Sequence, residues 1–152
     1  MDATPRLGEQ ACFALYTASR AVIGLYRPML DRLGLTYPQF LVLMALWEAD
    51  GRTVTALGDA LQLDSGTVSP LLKRLEAAGF VERRRGSTSS GGDERRVTVH
   101  LTESGAELER RGCEITQVVG TASGMSYEDL IALRDKLNEF TEAIRTRENA
   151  TD

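Results

Sequence analysis

The sequence is poor in cysteine and histidine, the side chains that carry most metal sites and much nucleophilic catalysis. Its 152 residues include two cysteines and one histidine. Cys12 and Cys113 are 101 positions apart, a spacing that argues against a disulfide scaffold and matches no metal-ligand motif. The only histidine, His100, follows the alternation of a strand, so we expect a structural role for it. Neither a metal nor a cofactor is expected.

Long apolar runs and a secretion signal are also lacking. The N-terminus reads MDATPRLGEQ, and no stretch approaches the roughly 18 apolar residues that a membrane span needs. We therefore expect a cytoplasmic protein without a membrane partner. The composition, 42% hydrophobic and 26% charged, is typical of a globular protein, and the length suits one domain.

Positive charge is scarce overall and concentrated locally. The formal net charge is -4, which gives no general reason to expect nucleic-acid binding. Residues 71–96 hold seven basic and four acidic side chains, a net of +3 in a chain that is otherwise -7. A solvated surface hairpin would also explain this run, but its place directly after two short helices favours contact with DNA.

Helical periodicity marks both ends of the chain. Apolar residues recur every three or four positions over residues 5–33, with a second stripe beside the first. Residues 102–147 predict two helices. The first is capped by Thr102 and reaches about Ala122, and the second begins within the segment GMSYEDL. The stripe of that last helix consists of Leu130, Leu133, Leu137, Phe140 and Ile144. Surplus apolar surface at both ends predicts dimerisation helices and a homodimer.

Between these helices, residues 37–101 predict a winged helix-turn-helix. Phe40 to Trp47 reads as a buried helix, and two short helices follow, one from Thr53 to about Leu61 and one from Ser65 to Ala78. Asp64 or Ser65 can cap the second of these short helices. The second helix of such a pair can lie in the major groove. FVERRR and RRVTVHL, separated by a Gly/Ser loop, predict the hairpin of the wing. The predicted fold is mainly α with a small β hairpin, in a single domain over residues 1–152.

The outer face of the helix from Ser65 to Ala78 is small, polar and basic. Pro70 within it removes one backbone hydrogen bond and is expected to kink it. The residues expected to face the core are Val68, Leu72 and Leu75. The candidates for contacts with base edges or phosphates are Ser65, Thr67 and Ser69. The candidates for phosphate positioning are Lys73, Arg74, Arg83, Arg84 and Arg85.

Cys12 is either a small core residue or a reactive thiol. A reactive thiol needs a helix N-terminus, a cation or hydrogen bonds to ionise. If the first helix begins near Pro5, Cys12 lies inside it and the helix dipole contributes little. Tyr16 is one turn away and its hydroxyl could donate to the sulfur. Tyr26 lies roughly 21 Å farther along a straight helix, so its contact with Cys12 would require a second chain.

Four segments resemble, in order, the MarR family and specifically its organic-hydroperoxide-sensing OhrR branch: QACFALYTASR, YRPMLDRLGLTYPQFLVLMALWE, LDSGTVSPLLKRLEAAGFVERRR and DERRVTVHLTESG. The resemblance covers residues 9–147, and CFALY with LTYPQF is its most specific part. It implies a homodimeric winged-helix repressor that binds an inverted-repeat operator in double-stranded DNA while its N-terminal cysteine is reduced. The helix from Ser65 to Ala78 matches the recognition helix.

The resemblance also implies roles for single residues. Cys12 matches the thiol that an organic hydroperoxide, the inducer, oxidises to sulfenic acid. Tyr26 and Tyr37 match two tyrosines that hydrogen-bond this cysteine from the partner subunit. Asp93 and Arg95 match the Asp-x-Arg of the wing, in which the aspartate braces an arginine that enters the minor groove.

Two features depart from the pattern of the branch. GSTSSGG makes the wing longer than expected, so the resemblance implies no contacts for its tip. The resolving cysteine of two-cysteine members aligns with Thr121, whereas Cys113 lies two helical turns earlier. We therefore favour the one-cysteine type, in which a low-molecular-weight thiol forms a mixed disulfide with Cys12. Resolution by Cys113 is the alternative.

Two other functions compete with the peroxide sensor. A MarR-type repressor released by a small phenolic ligand would leave Cys12 merely packed. A thiol peroxidase would use Cys12 to turn over peroxide, but Arg20 is the only arginine near it, and the chain carries a DNA-binding hairpin. We therefore expect a repressor and not an enzyme.

Overall fold

The computed structural model describes residues 4–86 and 96–149. It is mainly helical with one small antiparallel sheet, so the predicted fold class is confirmed. After a 3₁₀ turn, the elements follow in the order α1 (Ala11–Asp31), α2 (Tyr37–Glu48), β1 (Arg52–Thr53), α3 (Val54–Leu61), α4 (Ser65–Ala77), β2 (Val81–Arg85), β3 (Val97–Leu101), α5 (Glu103–Thr116), α6 (Val118–Ser123) and α7 (Tyr127–Asn149). Within these residues, no helix combines the length and apolar character that crossing a membrane requires.

Two compact units divide the chain after Thr116. The first contains α1 to α5 and the sheet, and the second contains α6 and α7. This division describes packing within one chain. A single functional domain, with dimerisation helices at residues 5–33 and 102–147 around a DNA-binding region at 37–101, therefore stays a prediction.

α1 begins later than its apolar stripe predicts. The stripe placed the start near Pro5, but the structure has a 3₁₀ turn at Leu7–Glu9, an extended Gln10, and then the helix from Ala11. The stripe misled because its spacing continues unbroken through the 3₁₀ turn, whose period is close to that of an α-helix. The predicted boundary is wrong, and Cys12 is the second residue of α1 instead of an interior one.

α2 begins at Tyr37, three residues before the predicted start at Phe40. A capping box fixes this start. Thr36 Oγ1 accepts from the backbone N–H of Gln39 at 3.4 Å, and Gln39 Oε1 accepts from the backbone N–H of Thr36 at 2.9 Å. Pro38 is tolerated because the first turn needs no backbone donor. The capping box thus places Tyr37 in the first turn of a buried helix.

α3 and α4 form the predicted helix-turn-helix. α3 ends at Leu61 and is followed by Gln62, whose φ of 57° is left-handed, and Leu63 N–H donates to the carbonyl of Gly58 at 2.8 Å. A Cβ on Gly58 would lie 2.6 Å from the Leu63 carbonyl oxygen, so this tight turn requires glycine. Asp64 then caps α4 by accepting from Thr67 N–H at 2.8 Å, as one of the two predicted caps.

The two faces of α4 separate as predicted. Its apolar face is fully buried, and the helix continues through Pro70 to Ala77. The buried residues of α4 are Val68, Leu72 and Leu75. The exposed residues opposite them are Gly66, Ser69, Lys73 and Ala77. One face of α4 therefore packs in the core of the first unit, and the opposite face is exposed to solvent.

The sheet has three strands in the order β1-β3-β2, all antiparallel. The predicted hairpin is confirmed, with Val81 opposite Leu101 at its base. β1 was missed because two residues are too short for any alternation; it pairs Arg52 with Val99. The sheet thereby ties the start of α3 to the wing.

α5 is shorter than predicted. Thr102 Oγ1 accepts from Gly105 N–H at 3.2 Å, which confirms the N-cap. The helix was expected to reach about Ala122, but α5 ends at Thr116 and α6 begins at Val118. The expected continuous helix is wrong because it is interrupted at Gln117, whose backbone keeps right-handed helical angles (φ -70°, ψ -19°). The local sequence does not account for the interruption, since the poor helix formers Val118, Val119 and Gly120 are helical in α6.

The predicted apolar stripe of α7 is partly exposed in the single chain. Leu133, Leu137, Phe140 and Ile144 are 37–45% exposed, and each lies on this one helix. Such a stripe would be covered in a dimer of the coiled-coil kind. The homodimer stays a prediction.

Candidate functional site

The exposed side of α4 carries the predicted DNA-contacting residues. Ser65, Thr67 and Ser69 lie in its first turns, Lys73 and Arg74 follow, and all five are exposed. Among the described residues, the side chains of Ser65, Lys73 and Arg74 make no hydrogen bond or ion pair. Their polar groups are therefore available to DNA.

The other two hydroxyls on this face are bound locally. Thr67 donates its hydroxyl to Asp64 at 2.9 Å, and Ser69 donates its hydroxyl to the Ser65 carbonyl at 2.8 Å. The Thr67 hydroxyl, together with the Thr67 N–H, lowers the pKa of Asp64. Because both hydroxyl protons are used, Thr67 and Ser69 offer lone pairs, which can accept from base amino groups.

The wing arginines differ in their partners. Arg83 donates Nε and a terminal nitrogen to Glu76 Oε2 at 3.1 and 2.7 Å, and its backbone N–H to Glu76 Oε1 at 3.3 Å. These bonds lower the pKa of Glu76 and tie the last turn of α4 to β2. Arg84 pairs with Glu82. Arg85 is exposed and makes no side-chain bond among the described residues.

The predicted Asp-x-Arg pair of the wing, Asp93 and Arg95, lies outside the described residues. Arg83 was predicted to position phosphates, but sequence reasoning did not identify Glu76 as its partner. A glutamate in the last turn of a helix and an arginine seven residues later form no recognised local motif. The pair becomes visible only when the chain reverses at Gly79, whose φ is 80°.

These partners predict different roles for Arg85 and Arg83. We expect Arg85→Ala to weaken DNA binding and to reduce the slope of log Kd against log salt by about one, because an arginine that binds a phosphate releases one counterion. Arg83→Ala is expected to weaken DNA binding without changing this slope. Its guanidinium forms an ion pair with Glu76, so we do not expect it to neutralise a phosphate. Fluorescence anisotropy over a salt series measures both quantities.

Arg110→Ala is the matched control, since Arg110 is an exposed arginine of α5 paired with Glu114 at 2.8 Å. It should change neither affinity nor slope. Equal slope changes for Arg83→Ala and Arg85→Ala would contradict the assignment.

Cys12 is an exposed, free thiol in the first turn of α1. This turn is the part of a helix whose partial positive charge favours an anion. Tyr16, one turn farther on, is 59% exposed and its ring lies 5.5 Å below the guanidinium carbon of Arg20. Tyr16 and Arg20 therefore lie on the same helix as Cys12, and both side chains are exposed to solvent.

Tyr26 and Tyr37 come together as a stacked pair. Their ring centroids are 5.3 Å apart at an interplanar angle of 20°. Burial raises the pKa of both hydroxyls, so both are protonated donors at neutral pH. Neither hydroxyl has a hydrogen-bond partner among the described residues. The pair therefore has two free donors.

Cys12 does not meet this pair within one chain. It shares α1 with Tyr26, and the 14 residues between them span roughly 21 Å of helix axis. A cavity of about 290 Å³ adjoins Tyr37 in the first unit. Its lining consists of Ile23, Arg27, Leu30, Asp31, Leu35, Thr36, Tyr37 and Pro38. This largely apolar space has room for a side chain or a small organic molecule.

Cys113 is a second exposed, free thiol, on α5. It lines a separate cavity of about 240 Å³ with Met44, Trp47 and Gly112. Elsewhere, His100 hydrogen-bonds with Thr98 at 2.9 Å and lies 3.5 Å from an Asp50 carboxylate oxygen. The described residues contain no group of three side chains placed to hold a metal ion.

A family model described as transcriptional regulator SarA/Rot matches residues 24–111. This span covers more than half of the chain and contains the helix-turn-helix and the wing. Among curated proteins, the chain is similar to the organic hydroperoxide resistance transcriptional regulator of Bacillus subtilis (strain 168). The two are 42% identical over 142 residues, which are 93% of this chain and 94% of that relative.

Solved structures show the same fold. Reduced AbfR bound to DNA has a TM-score of 0.73 and 32% identity, with 91% of this chain and 94% of that chain covered; AbfR is a protein of Staphylococcus epidermidis. Other AbfR structures are described as disulfide-formed and as overoxidised and bound to DNA. PcaV of Streptomyces coelicolor, in complex with its natural ligand, has a TM-score of 0.78 at 23% identity, with 93% and 99% covered, and supports the fold alone.

Proposed function

Because this chain belongs to the MarR family of DNA-binding, winged-helix transcriptional regulators, we propose that it is a homodimeric repressor that releases its operator when an organic hydroperoxide oxidises Cys12. The named relatives are transcriptional regulators and not enzymes. The thiol peroxidase is therefore set aside, and the proposal concerns what the regulator senses.

One observation carries the proposal: an exposed thiol and two tyrosine donors, both without a hydrogen-bond partner in the described part of the chain, lie too far apart to meet within one chain. Cys12 lies at the start of α1. Tyr37 lines the cavity beside the other end of α1, and Tyr26 stacks on Tyr37. A second copy in antiparallel arrangement would bring the first turn of its α1 to this cavity. A homodimer symmetric about a twofold axis creates two such sites.

In the proposed site, Tyr26 and Tyr37 of one subunit donate hydrogen bonds to the Cys12 thiolate of the other. Hydrogen bonds to an anion stabilise it more than those to a neutral group. The high pKa of both tyrosines keeps them protonated, so they remain donors when the sulfur is charged. The site thereby favours the thiolate, which is the form that reacts with peroxide.

The thiolate attacks the distal oxygen of the hydroperoxide. An S–O bond forms as the O–O bond breaks, and the leaving alkoxide takes up a proton and departs as an alcohol. Cys12 is oxidised to sulfenic acid and the peroxide is reduced. A low-molecular-weight thiol then forms a mixed disulfide with Cys12 and releases water. A further thiol restores Cys12 by disulfide exchange.

Oxidation would change DNA binding through the dimer. A sulfenic acid or mixed disulfide is larger than a thiolate and loses its negative charge, so it no longer holds the same tyrosine donors. The two recognition helices must sit about one DNA turn, or a multiple, apart, so a small rigid-body change weakens binding. A shift from mostly bound to mostly free requires several kcal/mol of difference between the two states.

The cavity beside Tyr37 supports a second candidate, a MarR-type repressor released by a small phenolic ligand. Titrating wild-type protein on DNA from its own promoter separates the two. We expect one equivalent of organic hydroperoxide to release the DNA, and phenolic acids to leave it bound. Release by phenolic acids alone would establish the second candidate and overturn the first.

A further inference from the structure

Four aromatic side chains form a continuous line through the first unit. Tyr37 stacks on Tyr26 at 5.3 Å, Tyr26 lies 6.3 Å from Phe40, and Phe40 meets the edge of Trp47 at 5.9 Å, all between ring centroids. We define this set as the aromatic line. It begins at the two tyrosines of the proposed sensor and ends at the only tryptophan of the chain.

The far end of the aromatic line is bonded to α5. Trp47 Nε1–H donates to the carbonyl oxygen of Gly105 at 3.0 Å, across 58 positions of sequence. The indole is also wedged against α5, because a Cβ on Gly112 would lie 2.5 Å from its ring. The indole therefore has little room to move without moving α5.

The first turn of α5 in turn contacts the junction between the recognition helix and the wing. A Cβ on Gly105 would lie 2.0 Å from the carbonyl oxygen of Phe80, so the two backbones touch directly. Thr102 Oγ1 donates to the Gly79 carbonyl at 2.5 Å, and Thr102 N–H donates to the Phe80 carbonyl at 3.1 Å. Gly79 and Phe80 connect α4 to β2.

We propose that Trp47 is a positioning residue that transmits the state of the Tyr26–Tyr37 pair, through its bond to Gly105, to the junction between the recognition helix and the wing. This inference rests on the proposed hydroperoxide-sensing function, and it identifies the residues that connect the sensor to the DNA-binding elements within each subunit. When the tyrosines lose the thiolate, Phe40 and the indole shift together. Because the indole N–H is hydrogen-bonded to Gly105, the shift of the indole displaces the first turn of α5. The Gly79–Phe80 junction, which contacts this turn, moves with it.

Trp47→Phe tests the route because it keeps an aromatic ring beside Phe40 and removes both links to α5, the donor to Gly105 and the part of the indole that packs against Gly112. We expect reduced Trp47→Phe protein to bind operator DNA within about threefold of wild type. The ratio of Kd after one equivalent of organic hydroperoxide to Kd before it should fall at least about fivefold, the lower range of measured coupling between sites. Fluorescence anisotropy gives both values.

Met44→Leu is the matched control. Met44 lies on the same helix and lines the same cavity as Trp47, but it is outside the aromatic line, and the exchange conserves volume. It should keep the wild-type ratio. A merely structural role of Trp47 would weaken reduced binding and leave the ratio unchanged, which would overturn the proposal. Wild-type protein that ignores hydroperoxide would overturn the sensor function itself, and with it this route.

A second measurement leaves Trp47 in place, so it stands even where Trp47→Phe folds poorly. Because the chain has one tryptophan, its emission reports on Trp47 alone. Oxidation should change this emission in wild type, and Phe40→Leu, which breaks the aromatic line before Trp47, should abolish most of the change while Cys12 is still oxidised. An equal emission change in wild type and Phe40→Leu, or none in wild type that releases DNA, would overturn the route.

Discussion

Replacing Gly105 with alanine is expected to lower the free energy of unfolding by about 3 kcal/mol or more, the upper range for overpacking. The added Cβ would lie 2.0 Å from the Phe80 carbonyl oxygen and 3.2 Å from Leu101. A backbone carbonyl cannot yield as the end of a side chain can. α5 must therefore separate from the Gly79–Phe80 junction, and the Trp47 bond to Gly105 weakens with it.

Chemical denaturation monitored by circular dichroism measures this loss. Gly120→Ala is the control, because its Cβ would meet Leu130 at 3.5 Å, an ordinary contact within α6 and α7. Alanine in place of a helical glycine should be neutral or stabilising there. A Gly105→Ala variant as stable as wild type would show that α5 and the Gly79–Phe80 junction are not in direct backbone contact.

Removing the hydroxyls of Tyr26 and Tyr37 together is expected to slow the oxidation of Cys12 by at least about tenfold. A hydrogen bond to a charged group contributes about 1.5–3 kcal/mol, and each 1.4 kcal/mol is a factor of ten. Phenylalanine at both positions keeps the stacked rings, so the fold should persist. Stopped-flow measurement of thiol consumption under limiting hydroperoxide gives the rate.

The homodimer allows a sharper form of this experiment. A Cys12→Ser chain paired with a Tyr26→Phe, Tyr37→Phe chain retains one complete site if the tyrosines act across the interface, and none if they act within a chain. We expect this heterodimer to oxidise at about the wild-type rate per thiol. A heterodimer as slow as the double phenylalanine homodimer would exclude tyrosine donors from the partner subunit. Tyr16→Phe is the control for a tyrosine on the same helix as the thiol.

The parts of the fold that follow from local patterns were predictable. The spacing of Val68, Leu72 and Leu75 identified the buried face of the recognition helix, because a helix repeats its face every three or four residues. Asp64 was one of the two predicted caps, since its short carboxylate reaches the first-turn N–H groups. Helical rise also correctly separated Cys12 from Tyr26 within one chain.

The parts that depend on distant contacts were not predictable. The bond from Trp47 to Gly105 joins residues 58 positions apart, and the glycine needed beside Phe80 has no local signature. Arg83 was grouped with the phosphate-binding arginines, because nothing in its neighbourhood indicates that Glu76 reaches it. The start of α1 was missed because apolar spacing alone does not distinguish a 3₁₀ turn from a helix.

That last error changes the interpretation of the thiol. A helix beginning near Pro5 would have put Cys12 in an interior turn, where the helix dipole contributes little. The observed start at Ala11 puts it in the first turn, exposed to solvent. Cys12 therefore has one of the three kinds of support that a reactive thiol uses, the helix N-terminus, which the predicted start near Pro5 did not give it.

In the proposed mechanism, Cys12 is the switch between bound and free DNA. This role is tested most directly by anisotropy of reduced protein on DNA from its own promoter at fixed salt, before and after one equivalent of organic hydroperoxide with a low-molecular-weight thiol. Wild type and Cys113→Ser are expected to release the DNA, while Cys12→Ser binds equally well before and after. Release by Cys12→Ser, or retention by wild type whose Cys12 is shown to be oxidised, would contradict this role.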